Sequence, residues 1–250
     1  MLQRTPEAFV DKCRSLLMDS GYTVALCPGW LEGEVPLLQV CPATALEPEI
    51  NPAFHDLTGF NVFWLSVTRH GDDHLVGCLC VRMIDTSDLI EDLRTNKTTY
   101  GSEADAMEPL YLAMEQTHYP KLSGTIALVS GRYVAPEEAP NGLHWFMDRI
   151  AGALASEQWP DLQAMCAISR GDLQFEGLPG EQSYLPATFV LAEGSPPGSK
   201  IYLSCIPAPD MLLRVAEDLA LIEMNVGTPI GEVYRDAVRR VPNDAAVLVT

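Results

Sequence analysis

The hydrophobic positions of this chain repeat with two periods, and each period predicts its own kind of element. Strand-like apolar runs occur at 22–27, 61–68, 75–85, 122–134, 162–168, 184–192 and 200–206. Apolar residues at helical spacing occur at 5–20, 87–93, 102–116, 142–157, 209–224 and 230–240. Between these elements, the proline-rich stretch 28–52 is predicted to be a long irregular connection.

The order of these elements predicts the fold class. A strand hairpin at 61–85 is followed by a strand–helix–strand unit at 122–168 and then by a second antiparallel pair at 184–206. The strand–helix–strand unit should be a right-handed crossover between parallel strands. A helical turn is expected around 170–176, and the apolar carboxyl-terminal residues could add a strand. We therefore predict an α/β (α+β) fold with a mixed, mostly antiparallel central sheet and helices on both faces.

The most informative segment is the strand, loop and helix at 122–155. A loop that leads into a helix amino terminus favours anion binding, because free backbone N–H groups and the helix dipole point the same way. Gly131 interrupts the strand-like run, which indicates either a β-bulge with close backbone approach or simple relief of crowding. In the first case residues 130–133 would line an opening in the sheet.

The residues from Val134 to Leu143 resemble those of the GNAT acyltransferase superfamily. In that family the fourth strand ends V-x-P, and the next helix starts with Gln/Arg-x-x-Gly-x-Gly/Ala. Val134, Pro136, Glu137, Gly142 and Leu143 match this pattern without a gap. The resemblance implies a GNAT-like acyl-CoA acyltransferase fold, in which a bulge opens a V-shaped gap that holds the pantetheine arm.

The resemblance also implies the extent of the domain and a set of binding residues. It covers about 55–206, as the core of a single domain over 1–250 with an amino-terminal helical extension 1–54 and a carboxyl-terminal extension 207–250. It implies acyl-coenzyme A (acetyl-CoA) as a co-substrate and no metal. The implied coenzyme-binding residues are Arg132, Tyr133, Val134, Asn141, Gly142, Leu143 and His144.

Three positions depart from the family pattern. Ala139 stands where the family has Gln or Arg, and Pro140 has no N–H to donate. His144 stands where the family has Gly or Ala. A neutral His144 would block the pyrophosphate, whereas a protonated His144 would contact it.

Amine acylation needs a base, a donor to the carbonyl oxygen and an acid for the leaving thiolate. The base candidate is Glu137 or its neighbour Glu138, although both also suit a helix amino terminus as structural charges. The backbone N–H at Val134 or its neighbours is the candidate donor. Tyr133 or Tyr184 is the candidate acid, in place of the tyrosine that the family often has after its fifth strand.

Composition limits the other classes of function. The net charge of −18 argues against non-specific nucleic-acid binding, and it either serves solubility, which is the commoner role, or attracts a cationic substrate such as an amine. The seven cysteines lack a CxxC pair and lie in apolar settings, so they are predicted to be reduced and buried. The chain has no apolar run long enough to span a membrane and no signal-peptide pattern, so we expect a cytoplasmic location.

Two functions remain open from the sequence. The first is transfer of an acyl group from acyl-coenzyme A to a small amine acceptor. The alternative is a GNAT-fold protein without catalysis, which acts as a ligand-binding or protein-interaction module. The terminal extensions could also form a homodimer interface.

Overall fold

A computed structural model describes residues 5–29, 47–71, 74–101, 122–170, 187–193 and 200–240. The strands are β1 (Tyr22–Pro28), β2 (Val62–Arg69), β3 (Leu75–Thr86), β4 (Gly124–Val134), β5 (Leu162–Arg170), β6 (Ala187–Glu193) and β7 (Lys200–Pro207). The helices are α1 (Thr5–Asp19), α2 (Leu89–Arg94), α3 (Lys97–Tyr100), α4 (Leu143–Gln158), α5 (Ala208–Met224) and α6 (Ile230–Arg240). Short 3-10 turns lie at Pro48–Ile50 and Pro136–Asn141.

The described elements agree with those that the periodicity predicts, except for the short helix α3, which it does not predict. The predicted helix at 102–116, the turn at 171–176, the start of the strand at 184 and the carboxyl-terminal strand lie outside the described residues. So does most of the connection 28–52. At the amino terminus, Pro6 and Glu7 occupy the first turn of α1, and the helix ends before Gly21, which adopts a left-handed conformation.

The seven strands form one mixed sheet in the order β1-β2-β3-β4-β5-β7-β6. The pair β4–β5 is parallel and all the other pairs are antiparallel. The largest buried cluster lies between one face of the sheet and the helices α1, α4, α5 and α6. On the opposite face, Leu89 and Leu93 of α2 pack against β4, β5 and β7. The prediction of a mixed, mostly antiparallel sheet with helices on both faces is confirmed.

A β-bulge on β4 is the irregularity that matters for the site. Cys78 of β3 pairs with Tyr133 and Cys80 pairs with Ser130, so β4 has one more residue than β3 between these pairs. Gly131, at φ +59°, lies in the bulge. A Cβ atom there would lie 2.7 Å from Ile50 Cδ1, so glycine suits both the conformation and the space.

The parallel strands β4 and β5 separate just before the bulge. Their ladder ends at Val129 and Ala167, although β4 continues to Val134 and β5 to Arg170. Beyond Ala167, β5 stays paired with β7. The carboxyl-terminal end of β4 therefore leaves its parallel neighbour and opens a gap in the middle of the sheet.

Candidate functional site

The gap between β4 and β5 lies beside the loop 135–142 and the start of α4. Ala135 N donates to Val76 O (2.8 Å), which holds the end of β4 against β3. The 3-10 turn Pro136–Asn141 then leads into α4 without a side-chain cap. These elements bring residues 130–144, the predicted site segment, to one end of the sheet.

Glu138 anchors the loop and is fully buried. Its carboxylate accepts hydrogen bonds from the Tyr22 hydroxyl, from the Arg69 guanidinium and from Asn141 Nδ2, the last at 2.9 Å. Asn141 Nδ2 also lies 3.2 Å from the Tyr22 hydroxyl oxygen. With three donors from β1, β2 and its own loop, Glu138 is a structural carboxylate. It is therefore unsuited to act as a general base.

The candidate catalytic residues occupy different settings. Glu137 is exposed on the outer side of the loop, and Tyr133 is half-buried between two hydrophobic clusters. Tyr184 lies outside the described residues. The structure therefore places Tyr133 at the gap and Glu137 on the surface beyond it, and their proposed roles stay predictions.

The last described helix covers the start of α4. Gly142 has φ +70°, and a Cβ atom there would lie 2.2 Å from Tyr234 Cγ of α6. The Gly142 N–H donates within the loop, to Ala139 O at 3.1 Å. On the same helix, Gly231 packs against Asn141 and the carbonyl of Pro140. The loop that resembles a phosphate cradle thus faces a helix of the chain's own carboxyl-terminal part.

His144 is buried and packs edge-on against Tyr234, with 5.2 Å between the ring centroids. Burial lowers the pKa of His144 to about 4, and the nearby Arg132 and Arg149 contribute to the decrease. His144 is therefore neutral near pH 7. Contact of a protonated His144 with a pyrophosphate stays a prediction, and these surroundings disfavour it because the imidazole is desolvated and has cationic neighbours.

The other implied coenzyme-binding residues also make contacts within the protein. Arg132 extends from the bulge to α4, where its guanidinium lies 3.3 Å from Asp148 Oδ2. Leu143 is fully buried, and its Cδ2 lies 3.3 Å from where a Cβ atom of Gly77 would be. Val134 is half-buried against the largest cluster. Coenzyme binding by these residues stays a prediction.

A contact at the bulge joins two residues that no pattern in the sequence brings together. Ser130 is predicted to line the gap, without a chemical role. Glu47 lies more than 80 residues before it in sequence. In the structure its carboxylate accepts hydrogen bonds from the Ser130 hydroxyl and from Gly131 N, the latter at 2.7 Å. Nothing in the local sequence around Glu47 signals this contact, because the two partners are far apart along the chain.

The described residues also bear on metal binding and on membrane crossing. Within these ranges, no three His, Cys, Asp or Glu side chains come together in an arrangement that could hold a metal ion. None of the described helices combines the length and the apolar character that a membrane crossing requires.

This chain is similar to known proteins in structure but not detectably in sequence. No protein-family profile matches the chain, and no curated protein matches its sequence. Arabidopsis thaliana NAA60, in complex with a bisubstrate analogue, is 10% identical over 74% of this chain and 98% of its own, with a TM-score of 0.41. FeeM, an N-acyl amino acid synthase from uncultured soil microbes, is 10% identical over 82% of this chain and 86% of its own, with a TM-score of 0.35.

A third similar structure is a protein from Desulfovibrio desulfuricans described as an acetyltransferase of the GNAT family. It is 11% identical over 74% of this chain and 99% of its own, with a TM-score of 0.40. At such identities and TM-scores the superpositions carry no conclusion about activity. The fold of this chain is GNAT-like on its own features, namely the order of its elements, the bulge at Gly131 and the separation of β4 from β5.

Proposed function

We propose that the protein transfers an acyl group from an acyl thioester of coenzyme A to a small amine acceptor. The observation that carries the proposal is the gap that opens between two parallel strands beyond Val129 and Ala167. Past this point the edge of β4 that faces β5 is free of ladder hydrogen bonds to that strand. Such an edge suits an extended arm with amide groups, which can pair with a strand as a neighbouring chain would.

The acyl end of the donor would lie at the bulge, where the backbone of Gly131 is close to Tyr133 and Arg132. In this arrangement a hydrogen bond donated by the protein to the carbonyl oxygen of the thioester favours attack by an amine, because negative charge develops on that oxygen. The net charge of −18 supports a cationic acceptor, since it raises the local concentration of amines.

The coenzyme's diphosphate does not fit the loop 139–144 while α6 is in place. Tyr234 covers Gly142, the Gly142 N–H is engaged by Ala139 O, and Pro140 has no N–H. The residues therefore fit the pantetheine arm of the donor and not its diphosphate. Because the loop does not accommodate the diphosphate, we expect the nucleotide part of coenzyme A to contribute little to its binding affinity.

Calorimetric titration with acetyl-CoA and with S-acetylpantetheine, which lacks the nucleotide, tests the proposal. We expect both ligands to bind, with dissociation constants within about tenfold of each other, because a lost diphosphate contact would otherwise cost several kcal/mol. Absence of heat and of thermal stabilisation with both ligands at millimolar concentration would overturn it.

A second candidate is a GNAT-like protein without catalysis that binds a ligand or a partner protein. The contact of Tyr234 with Gly142 favours it, because this contact fills the place where the resemblance implies diphosphate. Binding of either thioester followed by acylation of an added amine, detected by mass spectrometry, would exclude this alternative. A homodimer stays a prediction that sedimentation can check.

A further inference from the structure

Two buried cysteines face each other across neighbouring strands, away from the loop 135–142. Cys166 of β5 and Cys205 of β7 are directly opposed in an antiparallel pair, and the Cys166 thiol donates a hydrogen bond to Cys205 Sγ at 2.8 Å. Both are free thiols, and neither side chain is more than 3% exposed. The proposed acyl transfer makes no use of them. They form a second cluster of nucleophilic groups in the molecule.

The geometry of this pair suits a disulfide. Directly opposed residues of antiparallel strands have Cα atoms about 4.5–5.5 Å apart, which lies within the range of about 4.4–6.8 Å that disulfides bridge. The S–S bond is about 2.05 Å long, so the two sulfur atoms need to approach by less than about 1 Å. Cys78 and Cys80, by contrast, are two residues apart on one strand, with Cα atoms about 6.6 Å apart at the limit of that range.

A short helix shields the two thiols. Leu89 and Leu93 of α2 belong to the apolar cluster that contains Cys166 and Cys205. The hydrogen bond to Cys205, together with burial, raises the pKa of the Cys166 thiol well above its ordinary value. Because the thiolate is the reactive form, the pair stays reduced while the cluster is closed. The helix α2 has only six residues, so local opening exposes the thiols at a lower cost than global unfolding.

We propose that Cys166 and Cys205 form a reversible oxidation site, which hydrogen peroxide, as a two-electron oxidant, converts to a disulfide between β5 and β7. One sulfur attacks a peroxide oxygen, so that an S–O bond forms and the O–O bond breaks. The departing oxygen takes the proton of that thiol and leaves as water. The second sulfur then attacks the first, the S–S bond forms and the S–O bond breaks.

The second step releases the hydroxyl group and the proton of the second thiol as another water molecule. Each sulfur loses one electron overall, and the peroxide is reduced to two water molecules. A dithiol reductant reverses the reaction by thiol–disulfide exchange.

The position of this pair links its redox state to the gap in the sheet. Cys166 pairs with Leu128 of β4, immediately before the last pair of the parallel ladder, Val129 with Ala167. Beyond that point the described ladders hold β5 to β7 and no longer to β4. A disulfide at Cys166 would therefore fix one edge of the gap to β7, so oxidation should restrict the motion of that edge.

Mass spectrometry of the unmodified protein tests the site. After native treatment with excess hydrogen peroxide, we expect an intact mass lower by about 2 Da, for the two hydrogens lost, and its recovery with dithiothreitol. A non-reducing digest should show Cys166 linked to Cys205 as the main product. Cys166→Ser and Cys205→Ser should each abolish the linkage, whereas Cys27→Ser, which removes a less buried thiol, should keep it. Absence of the linked peptide, or a main linkage between other cysteines, would overturn the proposal.

Hydrogen exchange and thermal unfolding test the effect on the gap. In the oxidised protein, amide exchange of peptides from β5 and β7 should slow by about threefold or more, and Tm should rise by about 5 °C or more. Peptides from β1, at the opposite edge of the sheet, serve as the internal reference and should change less. Unchanged exchange in β5 once the disulfide has formed would refute the restriction of the gap edge. Neither measurement depends on acyl transfer, so both are independent of the proposed function.

Discussion

At the scale of single residues, two adjacent glutamates of the same loop have different environments. Glu137 is exposed, whereas Glu138 is fully buried and accepts hydrogen bonds from Tyr22, Arg69 and Asn141. Their sequence contexts are nearly identical, so only the turn of the 3-10 helix decides which one points inward. The buried carboxylate ties the loop to the sheet, whereas the exposed one lies on the surface.

We predict that Glu138→Ala lowers the free energy of unfolding by about 2–3 kcal/mol. The change leaves the buried Tyr22 hydroxyl without its acceptor, although Arg69, which is half-exposed, can regain water. Urea unfolding measures the difference. Glu137→Ala is the matched control and should stay within about 0.5 kcal/mol of the unmodified protein. Equal effects of the two substitutions would contradict this assignment.

His144 gives the stability a pH dependence of known sign. Burial lowers the pKa of His144 to about 4, below its ordinary value of about 6.5 in the unfolded chain. Between these values the unfolded state binds a proton that the folded state does not, so acid favours unfolding. Stability is fully present above about pH 6.5 and is lost as the pH falls toward 4.

We predict that this residue alone lowers the free energy of unfolding by about 2 kcal/mol between pH 7 and pH 5. His144→Phe keeps an aromatic ring beside Tyr234 but has no imidazole to protonate. Its free energy of unfolding should therefore fall by about 2 kcal/mol less between pH 7 and pH 5, as urea unfolding at each pH would show. Burial also lowers the pKa of His55 to about 4. His55 is present in both proteins, so their difference isolates His144. Parallel pH profiles would refute the prediction.

At the scale of elements, the contact between α6 and the start of α4 determines what the loop can bind. Gly142 is required there for two reasons, its left-handed conformation and its contact with Tyr234. Gly227 shares the first property, with φ +80°, but nothing lies within 4 Å of its Cβ position. Substitution of Gly227 therefore measures the cost of backbone strain alone, whereas substitution of Gly142 measures backbone strain together with the clash against Tyr234.

We predict that Gly142→Ala destabilises the protein by about 3 kcal/mol or more, and that Gly227→Ala costs about 1 kcal/mol. In a Tyr234→Ala background the cost of Gly142→Ala should fall to about 1 kcal/mol, because only the backbone strain remains. Thermal and urea unfolding of the four-protein cycle measure the coupling. Additive effects would show that α6 does not press on Gly142.

At the scale of the whole molecule, helices from both ends of the described chain share one core. Residues of α1 and of α5 belong to the same buried cluster as α4. An ion pair joins Arg149 of α4 to Asp218 of α5, with 2.7 Å between Nε and Oδ2. The indole N–H of Trp159 donates to Phe60 O before β2 (3.0 Å), which ties α4 to the far end of the sheet.

We predict a single cooperative unfolding transition for the chain, as expected for one domain. Circular dichroism would follow the helices, and tryptophan fluorescence would report both faces of the sheet, since Trp64 and Trp145 lie on opposite faces. Both signals should share one midpoint in urea. Two separated midpoints would show that a terminal extension unfolds independently of the 55–206 core.

The local elements and the fold class follow from the amino-acid sequence alone. Periods of two and about 3.6 residues located the described strands and helices, and Gly131 marked the bulge because side chains rarely adopt its conformation. The in-register match from Val134 to Leu143 added the expectation of a GNAT-like fold, with which the strand order agrees. The elements, the bulge and the loop pattern each depend on residues that are close together in the sequence, so they can be recognised without the tertiary structure.

The tertiary structure shows which side chains meet at the site. Glu47 reaches Ser130 across more than 80 residues, and Tyr234 reaches Gly142 across about 90. It also showed that Glu138 is a structural residue and that His144 is neutral, because burial and charged neighbours from other elements set both properties. Such contacts arise from packing between distant segments, and no local pattern of apolar and polar residues encodes them.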